Sequence, residues 1–487
     1  MIKISNTEAL SEVNGRGVSY TIIGSKNRNR EDLEETMKEF LKNTCAFALA
    51  TSAMAGGALA DGHATDWSAE LGDHSGVDLR IQLINDPFTG ALGEIMTEFG
   101  EITGANVAKD DLGYGGLYEK QVLNCSQGDD TYDVLFIDGI WVGEFAESGC
   151  IDPVEDRIAA TDESIIAWDD YMESFAGQAS WDGQRQCLPI AGYWHMLHYR
   201  KALFEQAGLA APTTFEEMLA AAELFHDNPD FPELEGGMAM NFQRGSAAGQ
   251  QYFEWIYSAG GSPWKTNFIG SDDVYGDLTP TLNSPEGVKM VEFFNEISQY
   301  GPPGVENFAW DERANAFTQG KVAIINNWSV RTPLFTDPEI SKVTDDFGVA
   351  MFPHAEGQSS VPPVGGWILC INAHSNNKDA AWDFIKWFAS PEVHKDFVLA
   401  GGPPSRHSAF QDEQINEEQF WTPTLYESAK AAWPDGRPRY PGTFQVIDAI
   451  GLEVNRAIVG EVSAQEALDK ANENVTRILQ SEGLLER

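Results

Sequence analysis

Short apolar runs alternate with amphipathic segments along most of the chain. Residues 134–137 are all apolar, which is typical of a strand buried on both faces of a parallel sheet, and Asp138-Gly139 ends the run. Similar short strands are predicted at 77–83 and 322–325. The apolar residues of 381–388 recur at helical spacing and predict a helix with one buried face. This alternation predicts an α/β fold with mostly parallel sheets.

Local signals mark where several helices begin. Asp138 follows a buried strand, so its carboxylate can cap a helix over the segment 140–146. Thr214 precedes Glu217 by three residues, and Ser463 precedes Glu466 in the same way. Both pairs are capping boxes and predict helix starts at these two points.

Three joints rich in glycine, proline or serine interrupt the pattern, near residue 191, at 356–364 and at 401–405. The first would separate two short strands, at 186–190 and 196–199. Several crossings of this kind predict two discontinuous lobes on a hinge, with a cleft between them. We assign residues 77–190 and 362–401 to lobe 1, and residues 194–355 and 405–487 to lobe 2.

The first 60 residues have the pattern of a leader. From Met37 a short charged stretch precedes an apolar segment over 45–59, which ends at Ala58-Leu59-Ala60, an A-x-A cleavage site. We predict a signal peptide at about 37–60, a polar lead-in at 61–76 and a periplasmic product. Residues 1–36 are polar and unpatterned, and translation could start at Met1 or at Met37.

The charge of the chain excludes several partners. It holds 75 acidic and 32 basic residues, a net charge of −43, which disfavours nucleic acid and anionic membranes. Outside the leader, Cys125, Cys150, Cys187 and Cys370 would meet an oxidising compartment. One or two disulfides are expected, and the sequence leaves all three pairings of four cysteines open.

Four strand or joint ends carry a tryptophan next to glycine, carboxylate or amide groups, at 138–141, 192–194, 326–328 and 365–367. Aromatic rings can lie under the C–H face of a sugar, while carboxylates and amides bond its hydroxyl groups. The pattern therefore predicts a cleft for neutral, hydroxyl-rich ligands. The alternative for each tryptophan is core packing.

Four longer segments carry a family resemblance: YDVLFIDGIWVGEFAESGCIDPVED, LPIAGYWHMLHYRKALFEQAGLAAPTTFEEM, FTQGKVAIINNWSV and GGWILCINAHSNNKDAAWDFIKWFASPE. In this order and spacing the chain resembles, over nearly all of 77–482, the extracellular solute-binding proteins of carbohydrate ABC importers. The resemblance implies two lobes that close on a sugar and deliver it to a membrane permease. It implies ligand contacts from Asn85, Asp86, Tyr114, Asp138, Trp141, Trp194, Asn327, Trp328, Gly366, Trp367 and Arg439.

Other ligand classes remain open at this point. The chain departs from common family patterns at Tyr193-Trp194-His195, so the size of the pocket and the identity of the sugar stay open. A polyol or a compatible solute, such as a glycosylated solute or a betaine, would suit the same cleft. An amino acid would need an arginine clamp, which Arg406, Arg437 or Arg439 could provide.

A secreted carbohydrate-active enzyme is the less favoured alternative. No pair of carboxylates is singled out by spacing, and no nucleophile, zinc or phosphate-loop motif is present. His195 and His198 are three apart, so in a strand they would point to opposite faces and make a poor metal site. We predict a monomeric binding protein without catalytic residues, metal or cofactor, whose partners are a small carbohydrate and the permease subunits.

Overall fold

The computed structural model describes strands Thr7–Val13 and Ser19–Ser25, residues 63–266 and residues 276–486. The chain divides into two compact units, Met1–Ala64 and Thr65–Arg487. In the first unit, the two strands form an antiparallel hairpin, although the sequence here looked unpatterned. The predicted signal peptide at 37–60 lies outside the described residues.

Most strands of the second unit belong to one large mixed sheet. The strands are numbered in chain order. The order in this sheet is β10-β11-β9-β13-β5-β3-β4, with β12 added to β9 and β6 added to β13, while β7 and β8 form a separate hairpin. The strands are β1 Thr7–Val13, β2 Ser19–Ser25, β3 Asp78–Ile84, β4 Asn106–Leu112, β5 Val134–Asp138, β6 Ile151–Asp152, β7 Ser180–Trp181, β8 Gln184–Arg185, β9 Leu188–Arg200, β10 Gly236–Ala239, β11 Val322–Trp328, β12 Phe347–Ala350 and β13 Val364–Asn372.

Strand direction divides the sheet into outer and central parts. The pairs β10–β11, β3–β4 and β3–β5 are parallel. Around the centre, β9 and β13 run antiparallel to each other and to their other neighbours. The α/β class is confirmed, and the long antiparallel pair joins the two parallel ends.

The predicted joint near residue 191 is not a break in the chain's secondary structure. β9 runs without interruption through Gly192, where the sequence predicted two strands. Its first half pairs with β13, and its second half pairs with β11 and β12. Pairing with β13 keeps the strand extended through the glycine, and pairing with β11 and β12 continues it beyond, which local composition does not reveal.

Helices cover both faces of the sheet. The helix Tyr114–Gln127 begins directly after Gly113, which is its N-cap residue. The predicted caps at Thr214 and Ser463 are confirmed, each with its reciprocal glutamate bond. The helices are Trp67–Glu70, Ala91–Thr103, Tyr114–Gln127, Val142–Glu147, Glu155–Ala159, Glu163–Ile166, Glu173–Ala176, Lys201–Ala207, Phe215–Phe225, Ser246–Ile256, Pro285–Ser298, Trp310–Thr318, Pro333–Thr336, Lys378–Ala389, Pro391–Leu399, His407–Gln411, Glu413–Glu418, Thr422–Ala431, Thr443–Ile458 and Ala464–Ser481.

Two disulfides lie in the second unit, and they settle the pairing that the sequence left open. Cys125 pairs with Cys150, and Cys187 pairs with Cys370. The second bridge joins β13 to the residue just before β9, 183 positions away in sequence. Within the described residues, no helix has the length and apolar character needed to span a membrane.

Candidate ligand-binding cavity

A cavity of about 420 Å³ lies beyond the carboxyl ends of β3, β5 and β11, and all its walls belong to the second unit. In α/β proteins the residues after such strand ends are where ligands bind. The cavity is lined by Ile84, Asn85, Asp86, Gly113, Tyr114, Asp138, Tyr193, Gln243, Gln250, Ala309, Trp310, Asp311, Glu312, Trp328, Val330, Arg331, Trp367 and Arg437.

Aromatic rings form much of the wall. Tyr114 lies between two of them, with ring centroids 5.7 Å from Trp310 and 6.1 Å from Trp367. Tyr193 and Trp328 form a second group, with centroids 5.5 Å apart in an edge-to-face arrangement. Rings in these arrangements offer both faces and edges to the C–H groups of a ligand.

A buried polar network crosses the cavity floor around Asp138 and Arg437. The guanidinium donates to both carboxylate oxygens, at 3.1 and 3.4 Å. The Tyr114 hydroxyl donates to the same carboxylate at 2.8 Å and accepts from the Gln250 amide at 3.1 Å. Burial and the Asp138 charge raise the pKa of Tyr114 well above its ordinary value, so the hydroxyl keeps its proton.

Asp138 also confirms the predicted cap. Its Oδ1 accepts from the backbone N–H of Ile140 at the start of a short 3₁₀ helix, Gly139–Trp141. With Tyr114, Arg437 and this N–H as donors, both carboxylate oxygens are already hydrogen-bonded. Asp138 therefore positions Tyr114 and Arg437 at the cavity more than it offers a free acceptor to a ligand.

A second charged group lies at Asp86, Arg331 and Asp311. Arg331 is 2.7 Å from an Asp311 oxygen and 3.7 Å from an Asp86 oxygen. The Asp86 side chain is only 9% exposed, and burial raises its pKa to about 6 even though Arg331 opposes the shift. Asp86 is thus a buried carboxylate with weak compensation, facing the cavity.

Six of the residues predicted from the sequence line this cavity: Asn85, Asp86, Tyr114, Asp138, Trp328 and Trp367. Two more stand directly behind the lining. Trp141 is buried and contacts the rings of Tyr114 and Trp367, at 5.2 and 5.8 Å. The Asn327 side chain accepts from the Trp328 N–H and from Arg313, at 3.0 and 2.9 Å, so it holds the backbone of a lining residue.

The other three predicted residues lie elsewhere. Trp194 is fully buried and donates to Ser174, since it points to the opposite side of β9 from Tyr193. Gly366 is a close-packing position, where a Cβ would lie 2.3 Å from the Ala191 carbonyl oxygen. Arg439 pairs with Asp435 and donates to backbone carbonyl groups outside the cavity. None of the three is among the lining residues of the cavity, and their role as ligand contacts stays a prediction.

Eight polar or aromatic lining residues were not among the predicted contacts. The alternation of β9 could have indicated Tyr193, because residues i and i+1 of a strand face opposite sides. Arg437 was considered only as a possible clamp for an amino acid. The others stand on helices or loops without a local signal: Gln243, Gln250, Trp310, Asp311, Glu312 and Arg331.

Comparisons with known proteins identify the family of the chain. Residues 85–395 match the model of the bacterial extracellular solute-binding proteins. A protein of Sinorhizobium fredii named "probable amino-acid ABC transporter periplasmic-binding protein" is 26% identical, over 91% of this chain and 99% of that protein. The mannitol-binding protein of Pseudomonas aeruginosa is 28% identical, over 65% of this chain and 74% of its own length.

A solved structure agrees with these matches. The ABC transporter solute-binding protein of Agrobacterium radiobacter, in complex with ribitol, is 30% identical and superposes with a TM-score of 0.76. The match covers 83% of this chain and 99% of that one. The family consists of extracellular or periplasmic binding proteins that serve ABC importers, and not of enzymes. This chain belongs to the bacterial extracellular solute-binding proteins.

Proposed function

We propose that the protein captures a sugar or polyol in the cavity and delivers it to the membrane subunits of an ABC importer. The observation that carries this proposal is the cavity wall. Its rings stand next to amide, carboxylate and guanidinium groups, as at Trp328 beside Arg437 and Trp367 beside Asp86. Such a wall matches a ligand that has both C–H faces and many hydroxyl groups.

The names of the relatives support the same ligand class. The structure with 30% identity holds ribitol, and a curated relative is named for mannitol. Both are linear, neutral and hydroxylated. A polyol is therefore as well supported as a cyclic sugar, and both stay within the proposed function.

We propose a capture mechanism in which the two lobes predicted above move about the strands β9 and β13. By the predicted bounds, the lining residues from 84 to 138 and Trp367 belong to lobe 1, and those from 243 to 331 and Arg437 belong to lobe 2. Closure of the two sets of walls on a solute would complete its hydrogen bonds, and the closed form would dock to the permease. We further propose export through the segment 37–60 and a monomeric product.

The test is a ligand screen on the purified protein. Thermal unfolding is followed with pentitols, hexitols, monosaccharides, disaccharides, betaine and amino acids, and each positive result is repeated by calorimetric titration. A ligand at about 100 times its dissociation constant adds about 2.7 kcal/mol to the free energy of unfolding. Stabilisation by sugars or polyols supports the proposal, and stabilisation by an amino acid or betaine alone contradicts it.

A further inference from the structure

The cavity lining contains more carboxylates than cationic groups. Among its lining residues, four are carboxylates and two are guanidinium groups: Asp86, Asp138, Asp311 and Glu312 against Arg331 and Arg437. The described cavity therefore presents an excess of negative charge to any ligand.

Arg437 makes four hydrogen bonds to groups of the protein itself. Its Nε donates to the Val364 carbonyl at 3.1 Å, and Nη1 donates to Gln250 at 3.2 Å. Its remaining bonds go to the Asp138 carboxylate, and the pair is almost completely buried, with side chains 3% and 7% exposed. A carboxylate of a ligand would need to displace a buried carboxylate that the chain already supplies.

The fold also fixes Arg437 in this position. Its guanidinium lies over the Trp328 ring, 5.4 Å from the centroid. A Cβ at Gly365 would lie 2.8 Å from the guanidinium and 3.1 Å from the Trp328 ring. Glycine at this position therefore lets the arginine lie against the strand, where it pairs with Asp138.

Arg331 is engaged in the same way at the other charged group. It lies 2.7 Å from Asp311 and 3.7 Å from Asp86. An anionic ligand at this guanidinium would meet two carboxylates at once. Both guanidinium groups of the described cavity lining thus already face carboxylates of the chain.

We infer that paired carboxylates make this site selective for uncharged solutes, with Asp138 and Asp311 as the residues that reject a carboxylated ligand. The inference rests on the proposed function and narrows it to neutral polyols and sugars, excluding sugar acids and amino acids. It separates this chain from the ligand class for which its Sinorhizobium relative is named, the amino acids. Selectivity would come from the repulsion and desolvation of a second carboxylate beside an arginine that is already neutralised.

The test compares a neutral and an anionic probe of equal length. Calorimetric titration measures D-mannitol against D-gluconate, and ribitol against D-ribonate, on the wild-type protein. We expect each acid to bind at least about 100-fold more weakly than its polyol, the scale of discrimination when a site leaves a buried charge unpaired. Asp138→Asn leaves Arg437 without its carboxylate. In this variant the ratio of the dissociation constants of acid and polyol should fall by about tenfold or more.

Two further variants keep the test informative if Asp138→Asn fails to fold. Asp311→Asn acts at Arg331, whose side chain is 15% exposed, and Asp311 itself is 73% exposed, so this variant keeps the fold. Asp311→Asn should also lower the ratio of the dissociation constants of acid and polyol. Asp435→Asn is the matched control, because it leaves Arg439 without its carboxylate outside the cavity and should not change the ratio.

The outcomes separate the two proposals. If the wild-type protein binds gluconate or an amino acid as tightly as a neutral solute, the inferred selectivity for uncharged solutes is wrong. The proposed function of solute capture is not affected by that result. An unchanged ratio in both Asp138→Asn and Asp311→Asn also overturns the inferred selectivity. Wild-type protein that binds no sugar or polyol overturns the proposed function, and this inference with it.

Discussion

Replacing Asp86 with asparagine removes a negative charge that the fold holds at 9% exposure beside the cavity. Burial raises the pKa of this carboxyl to about 6 from an ordinary value of 3.8, even with Arg331 nearby. A difference of about 2 in pKa corresponds to about 3 kcal/mol, at roughly 1.4 kcal/mol for each tenfold change in proton affinity. At neutral pH the folded protein therefore carries this cost, and Asp86→Asn should stabilise it by about 1–3 kcal/mol.

The sign of the pH dependence follows from the direction of the shift. A carboxyl whose pKa is raised by folding binds its proton more tightly in the folded state, so wild-type stability falls as pH rises from about 4 through 6. The variant lacks this titration. Its advantage should be largest above about pH 7 and should fall to about half by pH 5.

The assay is urea unfolding followed by tryptophan fluorescence, at pH 7.5 and pH 5.0, without ligand. Asp311→Asn is the control, because it removes the exposed partner of the same arginine and should change stability by no more than about 0.5 kcal/mol. The reasoning is refuted if Asp86→Asn is less stable than wild type at pH 7.5, or if its advantage is equal at both pH values. The same variant should lose affinity for a polyol, since Asp86 is a lining carboxylate and an acceptor for hydroxyl groups.

Three other predictions compare matched positions. Trp328→Leu should weaken binding of the identified solute by about 1–3 kcal/mol in calorimetric titration, because its ring lines the cavity; unchanged affinity would remove it from the site. Trp194→Leu should lower the free energy of unfolding by about 2–4 kcal/mol and leave affinity within about twofold, since this ring is buried elsewhere; a large loss of affinity in the folded variant would contradict that. Replacing Cys187 and Cys370 with alanine should cost about 5 kcal/mol in urea unfolding, against about 3.5 for Cys125 and Cys150, because the bridged separations are 183 and 25 residues; equal or reversed losses would argue against loop entropy as the main cause.

Interactions between residues close in sequence made several elements predictable from the sequence alone. The all-apolar run before Asp138 is a buried strand, and the carboxylate caps the turn that follows it. The capping boxes at Thr214 and Ser463 begin helices as predicted. In each case the interacting groups are at most three residues apart, so the chain already holds both partners before it folds.

The sequence also identified the family and six of the lining residues, because aromatic and polar residues follow the ends of buried strands. The sequence could not distinguish the tryptophans that line the cavity from those that pack in the core. Trp328 and Trp367 line the cavity, while Trp194 is buried on the other side of β9. Which side of a strand faces a cavity depends on what packs against the sheet, and that is set by distant segments.

Tertiary structure alone decided the charge arrangement of the cavity and the disulfides. Asp138 and Arg437 are 299 positions apart in sequence and form one buried pair. Cys187 meets Cys370 only because β9 and β13 lie side by side. The sequence by itself determined the elements, the family and the kinds of side chain at the strand ends. Only the fold determined which charges neutralise each other, because electrostatic pairing depends on distance in space and burial, and neither is encoded by local pattern.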